Sequence, residues 1–516
     1  MAGSDGRGAS DGGRGSSRLL AGVCVAAGAA YMQGATISYI VTPMLGTFGA
    51  DQDSGAVLRE VPSIASLLVI FISALLATRF GARRIITAGA LLLTLGSALV
   101  AASPDVTAAA VGLAVQSVGG TILMVVPLAA IGAAFADGDA RTRAFAMFSM
   151  VSPLVFVLLP VLTAALMERW TWRVVAGVWV LGGLIALLAG RWALPTSPRV
   201  GRGGRGGEWW TPTLAGLACV GLVQAISHAS TDGVMSRAAL LRVAITVLAG
   251  VALVIVLRRT RDPSLDVTML RRPGVVLLLG AIVLWCFIQL WYYMTLTYQY
   301  VYDRSILQTA LLMVPAQACA AIGARTASPI VRRWGLTAPG AALLLLSAAA
   351  MALCATFRVD SPLWWPLLVT CGYSYAAVAA GVPMTNALMD AASAASQGGP
   401  SAYRQAAISV GSVAGIALFS TVVYAAFSTS ITAQLDAADV PAAEASQIAQ
   451  QLRAGASVQE VSTSYAVPPS EVQVVGASLQ RAYLDGIGAQ GWVGAGLGAV
   501  TAGLYLLSRR RAQSTN

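Results

Sequence analysis

The sequence is built from long apolar runs that recur from near its amino terminus to near its carboxyl terminus. Hydrophobic residues make up 57% of the 516 residues and charged residues only 11%, whereas soluble domains carry roughly 25% charged residues. An apolar stretch of about 20 residues can cross a bilayer as a helix, which satisfies its own backbone hydrogen bonds. The chain is therefore predicted to be an all-α polytopic membrane protein, and disordered chains, disulfide scaffolds and soluble enzymes are excluded.

Fourteen of these runs are long enough to be transmembrane helices. They are predicted at about 18–45, 57–78, 84–103, 106–135, 143–167, 173–194, 211–228, 238–257, 274–301, 305–331, 337–357, 362–388, 403–427 and 489–508. The predicted domains are a disordered cytoplasmic tail (1–17), a six-helix half (18–194), an inserted helix pair with its loops (195–272), a second six-helix half (273–508) and a tail (509–516). An acidic external loop (428–487) interrupts the second half.

The basic residues predict how these helices are oriented. All 33 are arginines, and the net charge is +11. Alternating the loops between two sides places 23 arginines on one side and nine on the other, with Arg325 ambiguous. Because cytoplasmic loops are enriched in basic residues, both termini are predicted to be cytoplasmic. The absence of lysine beside abundant Ala, Gly and Arg favours a bacterial plasma membrane, and the charge needs no nucleic-acid partner.

A short pattern occurs twice in the chain. Arg79-Phe-Gly81 follows the second predicted helix, and Arg333-Trp-Gly335 follows the tenth, and the two glycines are 254 positions apart. This offset matches six helices with their loops plus the inserted pair. It predicts a 6+2+6 arrangement, in which two six-helix halves flank two extra helices. Paired halves around a midplane cavity are a transporter architecture.

Several segments also match motifs of a known transporter family. The loop after helix 2 matches four positions of the signature G-x-L-A-D-R-x-G-R-R, namely Arg79, Gly81, Arg83 and Arg84. Helix 5 ends in a segment similar to the family's W-R-W motif, and helix 13 begins Tyr403-Arg404-Gln405, similar to its R-Q-x-G-x-x-x-G-x-A run. On these motifs and the helix plan, the chain resembles the major facilitator superfamily, and within it the fourteen-helix drug:proton antiporter group.

The resemblance implies proton coupling by an Asp in helix 1 and an Arg in helix 4, and both charges are missing here. Helix 1 keeps Thr36 and Pro43 of the D-x-T…P signature, but Gly34 occupies the Asp position. Helix 4 keeps Gln116 of the R-x-x-Q-G-x-G signature, but Leu113 replaces its Arg. Thr78 likewise replaces the Asp of the loop signature, so a weaker contact between the halves is expected there.

Helix 9 is the most informative segment for a ligand. Trp285, Gln289, Tyr292 and Tyr293 share one face by spacings of three and four, and aromatics beside one amide suit a bulky amphipathic compound. An interfacial aromatic belt is the alternative. The other predicted cavity residues are Gln33, Tyr39, Gln116, Gln317 and Tyr373. Each of these could instead bond only a neighbouring helix.

The few ionisable residues near the membrane form a second group of candidates. Arg59, Glu60 and Arg325 are predicted coupling or gate residues, because charges in lipid are costly and functional by default. The alternatives are an interfacial pair beside Pro62 and a snorkelling Arg325. A cytoplasmic latch between the halves is predicted at Arg79, Gly81, Arg83, Arg332 and Arg333. The positive-inside bias alone also explains these arginines.

Together these features predict a secondary active transporter, not an enzyme, that exports a bulky amphipathic drug, antibiotic or metabolite by alternating access. The driving force would be a gradient of protons or another ion, and a monomer in the lipid bilayer is expected. No cofactor or metal site is predicted, since the chain has one histidine, no CxxC and no lysine for a nucleotide-binding loop. The alternatives are a non-transporting sensor or assembly partner, and an exporter of lipid-like metabolites without proton antiport.

Overall fold

The computed structural model describes residues 6–50, 52–135, 138–194, 209–231, 235–260, 267–391, 398–436 and 469–513. These residues form helices and short connections, with no strand among them. Fourteen of the spans they form are long and apolar enough to cross a membrane, which confirms the predicted number. The described chain is thus an all-α bundle with the dimensions of a polytopic membrane protein.

The first half contains six helices. They are α1 (Gly6–Phe48), α2 (Gln52–Phe80), α3 (Ala82–Ala102), α4 (Val106–Ala134), α5 (Gly138–Met167) and α6 (Trp172–Ala193). Glycines bring α3 and α4 together: a Cβ added to Gly119 would lie 2.4 Å from the backbone nitrogen of Leu93. Small residues at such contacts are typical of helix packing in membranes, where close backbone approach replaces the hydrophobic effect.

The described residues of the second half form seven α-helices that make six spans. They are α9 (Pro273–Phe287), α10 (Leu290–Tyr300), α11 (Ile306–Trp334), α12 (Thr337–Leu353), α13 (Trp364–Asp390), α14 (Gly398–Asp436) and α15 (Pro469–Gln513). One continuous helix was predicted at 274–301, but the ninth span stops at Phe287 and restarts at Leu290. Neither Pro nor Gly stands at this interruption, so the sequence carries no breaker that would have indicated it.

Three helix ends differ from the predicted boundaries by more than five residues. The first helix begins at Gly6, within the predicted tail of residues 1–17. Helices α14 and α15 extend to Asp436 and from Pro469, so both enter the loop predicted at 428–487. Residues 437–468 of that loop lie outside the described part of the chain.

The inserted pair, α7 (Trp210–Thr231) and α8 (Arg237–Arg259), lies beside the seam between the halves. Helix α7 packs against α8, against α2 of the first half and against α14 of the second. Helix α8 packs mainly on α7, and its Leu241 and Leu248 side chains are more than 60% exposed. Its outer surface is therefore suited to lipid, which is as apolar as these side chains.

The internal repeat is visible in the backbone. Helix α11 begins and ends 254 residues after α2, which is the offset between Gly81 and Gly335. Both glycines have positive φ, 85° and 75°, a region that residues with a Cβ rarely adopt. The repeated glycine therefore shapes the same tight connection in each half.

Candidate functional site

A cavity of about 320 Å³ lies between α1, α2 and α4 of the first half and α14 of the second. Its volume is at the lower end of the usual range for small-molecule sites. Its polar lining residues are Gln33, Ser66, Ser117, Thr121, Gln405 and Ser409, and no charged residue is among its fourteen lining residues. The arrangement offers amide and hydroxyl groups within an otherwise apolar wall of residues such as Ile37, Leu58 and Met124.

Gly34 forms part of this wall. A Cβ added there would meet no atom within 4 Å, so a side chain at this position has open space. Its neighbour Thr36 is fully buried and faces α6, where it accepts a hydrogen bond from Trp179 Nε1 at 2.8 Å. Two motif positions only two residues apart therefore have different roles. Residue 34 borders the cavity, and residue 36 fastens α1 to its own half.

Two of the predicted cavity glutamines lie in different surroundings. Gln33 lines the cavity and accepts a hydrogen bond from Ser117 Oγ at 3.2 Å. Gln116 is buried where α4 meets α3. The two backbones approach closely there, since an added Cβ on Gly96 of α3 would overlap the backbone nitrogen of Gln116. Leu113, one turn earlier, is fully buried in an apolar cluster with Ile40 and Trp172. The position of the family's helix 4 Arg is therefore filled by core packing.

The interruption of the ninth span leaves backbone groups that side chains satisfy. Tyr373 of α13, which is 2% exposed, donates its hydroxyl to the carbonyl of Ile288 at 2.6 Å. Gln289 donates Nε2 to the carbonyl of Cys286 at 2.6 Å. Trp291, just beyond the break, donates Nε1 to Ser374 Oγ at 2.7 Å. Interrupted helices near the midplane commonly border substrate sites in transporters.

The break also separates the aromatics predicted to share one face. Trp285, before it, packs against Gly381, whose added Cβ would lie 3.2 Å from the indole ring. Tyr293, after it, is buried on α14 and donates its hydroxyl to the carbonyl of Ile416 at 3.2 Å. Tyr292 is 47% exposed, and its ring packs edge-on against that of Tyr293 with 5.1 Å between the ring centres.

Two further predicted cavity residues lie outside this aromatic group. Tyr39 is half-buried on α1, and Gln317 is buried on α11. Neither residue lines the cavity between α1, α2, α4 and α14. Their predicted role in the substrate site stays a prediction.

Of the predicted gate residues, Glu60 has a partner that the sequence did not indicate. His228 of α7 places Nε2 3.4 Å from Glu60 Oε1, which joins α2 to the inserted pair. Arg325 is exposed on the surface of α11, as the snorkelling alternative requires. The side chain of Arg59 lies outside the described part of the structure.

The predicted latch arginines make contacts within or beside their own half. Arg83 donates Nη2 to the carbonyl of Arg191 at 2.6 Å, both in the first half. The guanidinium of Arg79 lies 4.9 Å from the ring centre of Trp209, near the start of α7. Arg332 is exposed, and Arg333 lies 5.5 Å from the ring of its neighbour Trp334.

Among the described residues, a different pair joins the two halves. Arg141 at the start of α5 forms a salt bridge with Asp390 at the end of α13. Next to Arg141, the Thr142 hydroxyl donates to the carbonyl of Gly138 at 2.7 Å and also lies 3.4 Å from Asn386 Oδ1 of α13. Met389 packs in the core of the first half and Ala146 in that of the second. These contacts hold the halves together at the end of the bundle where α1 begins, here called the terminal end.

Comparison with known proteins agrees with this architecture. The sequence profile of the Major Facilitator Superfamily matches residues 23–416. The chain is 26% identical over 386 residues to the multidrug resistance protein Stp of Mycobacterium tuberculosis (strain CDC 1551 / Oshkosh), covering 73% of this chain and 70% of Stp. It is 26% identical over 204 residues to the uncharacterized MFS-type transporter YhcA of Bacillus subtilis (strain 168), covering 39% of this chain and 37% of YhcA.

Two solved structures share the fold. The human organic anion transporter MFSD10 (TETRAN) superimposes with a TM-score of 0.64 at 14% identity, covering 96% of this chain and 99% of that one. The proton:xylose symporter XylE superimposes with a TM-score of 0.56 at 12% identity, covering 96% and 95%. The profile match spans most of the chain, and the helices, repeat and cavity fit it: this multi-pass membrane protein belongs to the Major Facilitator Superfamily of transporters.

Proposed function

We propose that the chain exports a bulky, amphipathic small molecule across the bacterial plasma membrane by alternating access, as a monomer with both termini in the cytoplasm. The observation that carries this proposal is the polar, uncharged cavity between elements of both halves. Amides and hydroxyls in an apolar wall suit a ligand that is largely apolar but has a few hydrogen-bonding groups. The name of its relative Stp, a multidrug resistance protein, supports the same class of substrate.

The geometry fits one state of an alternating-access cycle. The Arg141–Asp390 salt bridge holds the halves together at the terminal end. Leu58 and Pro62, near the start of α2, place one side of the cavity toward the opposite end. With the termini in the cytoplasm, this is an outward-facing state from which a substrate would leave. Return to the inward-facing state requires the salt bridge to break, since hinged closure exchanges contacts at one end for contacts at the other.

The proposed driving force is a proton gradient, and the Glu60–His228 pair is the candidate proton carrier. Histidine and carboxylate side chains are the groups that form proton relays within the membrane-spanning parts of pumps and transporters. The pair links α2 with α7, so a change in its protonation would alter the contact between the first half and the inserted pair. Gly34, where the family has an Asp, leaves the cavity wall without a carboxylate for this role.

The test is dye accumulation in cells that express the chain, over a panel of neutral, anionic and cationic amphipathic dyes. Expression should lower the accumulation of at least one dye, and a protonophore should restore it. Glu60→Gln and His228→Gln should remove the pH-driven part of efflux, whereas Glu168→Gln, just after the end of α5, serves as the matched control. A flat result over the whole panel would contradict export and favour a sensor or assembly partner.

A second outcome would favour the exporter without proton antiport. The absence of a cavity carboxylate and the burial of Leu113 in an apolar cluster support that alternative. In that case efflux would persist when the pH gradient is collapsed while the membrane potential is kept. It would also be unchanged in Glu60→Gln.

A further inference from the structure

Arg404 lies deeper in the bundle than a loop arginine. Helix α14 begins at Gly398, so six residues at about 1.5 Å each place Arg404 roughly 9 Å into it. Arg404 Nε donates to Thr385 Oγ1 of α13 at 2.9 Å. The Tyr31 side chain of α1 and the Cys286 side chain of α9 lie within electrostatic range of this guanidinium. The guanidinium therefore lies where one helix of the first half meets three helices of the second.

This position adjoins the cavity. Gln405, the next residue, and Ser409, one turn further, both line the cavity wall. On α1, Tyr31 precedes the lining residues Gln33 and Gly34 by less than one turn. The arginine thus lies at the edge of the cavity nearer the terminal end, between the same two halves that enclose it.

Among the described residues, no carboxylate forms an ion pair with the Arg404 guanidinium. Its described hydrogen bond goes to the Thr385 hydroxyl, and the Tyr31 and Cys286 side chains nearby are a phenol and a thiol. Of the acidic residues near the ends of the helices, Asp390 pairs with Arg141 and Glu60 with His228. A cation held among helices is costly unless it is paired. A guanidinium also offers a planar fork of donors that matches carboxylate, sulfonate and phosphate groups.

We propose that Arg404 binds the acidic group of the transported compound, so that the substrates are amphipathic anions. The apolar body would occupy the cavity, and its carboxylate, sulfonate or phosphate would contact the guanidinium. The alternative is a structural Arg404 that only fastens α14 to Thr385. This inference rests on the proposed export function and narrows its substrate class.

A matched pair of probes separates these possibilities: anilinonaphthalene sulfonate and its neutral parent, phenylnaphthylamine. Binding is measured on the full chain in liposomes, with protein-free liposomes subtracted. The wild-type chain should bind the sulfonate more tightly than the parent. Arg404→Gln should weaken sulfonate binding by about tenfold or more, since a charge-assisted contact is lost, and should change binding of the parent by less than about twofold.

Two further variants control for folding and for charge. Arg404→Lys should keep part of the sulfonate affinity, because it keeps the charge but loses the planar fork. Arg242→Gln removes an arginine of α8 that bonds only the carbonyl of Ala238 in its own helix among its described contacts, and should leave both probes unaffected. Thermal unfolding of each variant shows whether the helices still pack.

Three outcomes would overturn the proposal: unchanged sulfonate binding in Arg404→Gln, equal loss of both probes, or no sulfonate preference in the wild-type chain. Efflux of the two probes from cells tests the proposed function separately. If the chain exports the neutral parent without any dependence on Arg404, export stands and the anion site falls. If it binds the sulfonate through Arg404 but moves neither probe, the anion site stands and export falls.

Discussion

The first helices of the two halves differ at equivalent positions of the repeat. Helix α1 crosses the bundle as one helix, whereas its counterpart stops after Phe287 and restarts at Leu290 as α10. The 254-residue offset of the repeat pairs Gly34 with Ile288. At the first position the wall has no side chain and open space beside it. At the second the helix is interrupted, and a tyrosine from α13 bonds the freed carbonyl.

The two halves therefore share a backbone frame but contribute different side chains to the cavity. The frame consists of the matching lengths of α2 and α11 and the two positive-φ glycines that follow them. The chemistry is divided: α1, α2 and α4 contribute most of the neutral cavity wall, and α14 contributes Gln405, Ser409 and the adjacent Arg404. The proposed substrate site therefore depends on side chains that differ between the two halves.

The largest effect is expected from the salt bridge that joins the halves. Arg141→Asp or Asp390→Arg places like charges opposite each other and should lower efflux about tenfold or more, because each destabilises the state closed at the terminal end. The double exchange should recover most of the activity, since it restores an ion pair. Dye efflux at matched expression levels is the measurement.

The control for this exchange is Arg143→Asp, an exposed arginine on the same helix. It changes the charge by the same amount, but in the described structure its side chain forms no ion pair with the second half. If Arg143→Asp and Arg141→Asp lower efflux equally, the contribution of the salt bridge is refuted. If the double exchange stays as inactive as the singles, the pairing itself does not matter.

The features of this structure that depend on neighbouring residues could be predicted from the sequence, and those that depend on contacts between distant residues could not. Hydropathy predicted fourteen spans, and the Arg-aromatic-Gly pattern predicted the repeat, because both are properties of neighbouring residues. The break at Ile288 was not predicted, since its stabilising group, Tyr373, is 85 residues away. The pairs Glu60–His228 and Arg141–Asp390 also join distant segments. Only their three-dimensional placement brings them together.

The next largest effect is expected at the break in the ninth span, where Tyr373 bonds the carbonyl of Ile288. Tyr373→Phe removes the hydroxyl bonded to the carbonyl of Ile288 and leaves that buried group without its partner. We expect a loss of about 1–3 kcal/mol in the free energy of unfolding, which is the cost of a buried unsatisfied group. Thermal or denaturant unfolding of the purified chain measures it.

Tyr375→Phe, two residues along the same helix, is the matched control. Its hydroxyl bonds Thr326 Oγ1 at 2.9 Å, and that threonine also donates to the carbonyl of Ile322 at 2.9 Å. Losing the Tyr375 hydroxyl therefore leaves its partner bonded, and the expected cost is smaller. Equal destabilisation by both variants would show that the break does not depend on Tyr373 in particular.

The smallest effect, and the most direct test of how the halves differ, is expected at Gly34. Gly34→Asp would place a carboxylate in open space in the wall of the cavity, which Gln405, the residue after Arg404, also lines. If Arg404 binds anionic substrates, this carboxylate should compete for the guanidinium. Binding of anilinonaphthalene sulfonate should weaken several-fold, while binding of its neutral parent stays the same.

Gly34→Ala separates charge from volume, because its Cβ meets no atom within 4 Å and carries no charge. It should bind both probes as the wild-type chain does. If Gly34→Asp leaves sulfonate binding unchanged, residue 34 and Arg404 do not serve one site, and the cavity and the arginine act independently. If Gly34→Ala weakens binding as strongly as Gly34→Asp, the ligand itself fills the space beside Gly34. Glycine is then needed at position 34 for the volume it leaves free, and the charge of an added side chain is not the cause of the weaker binding.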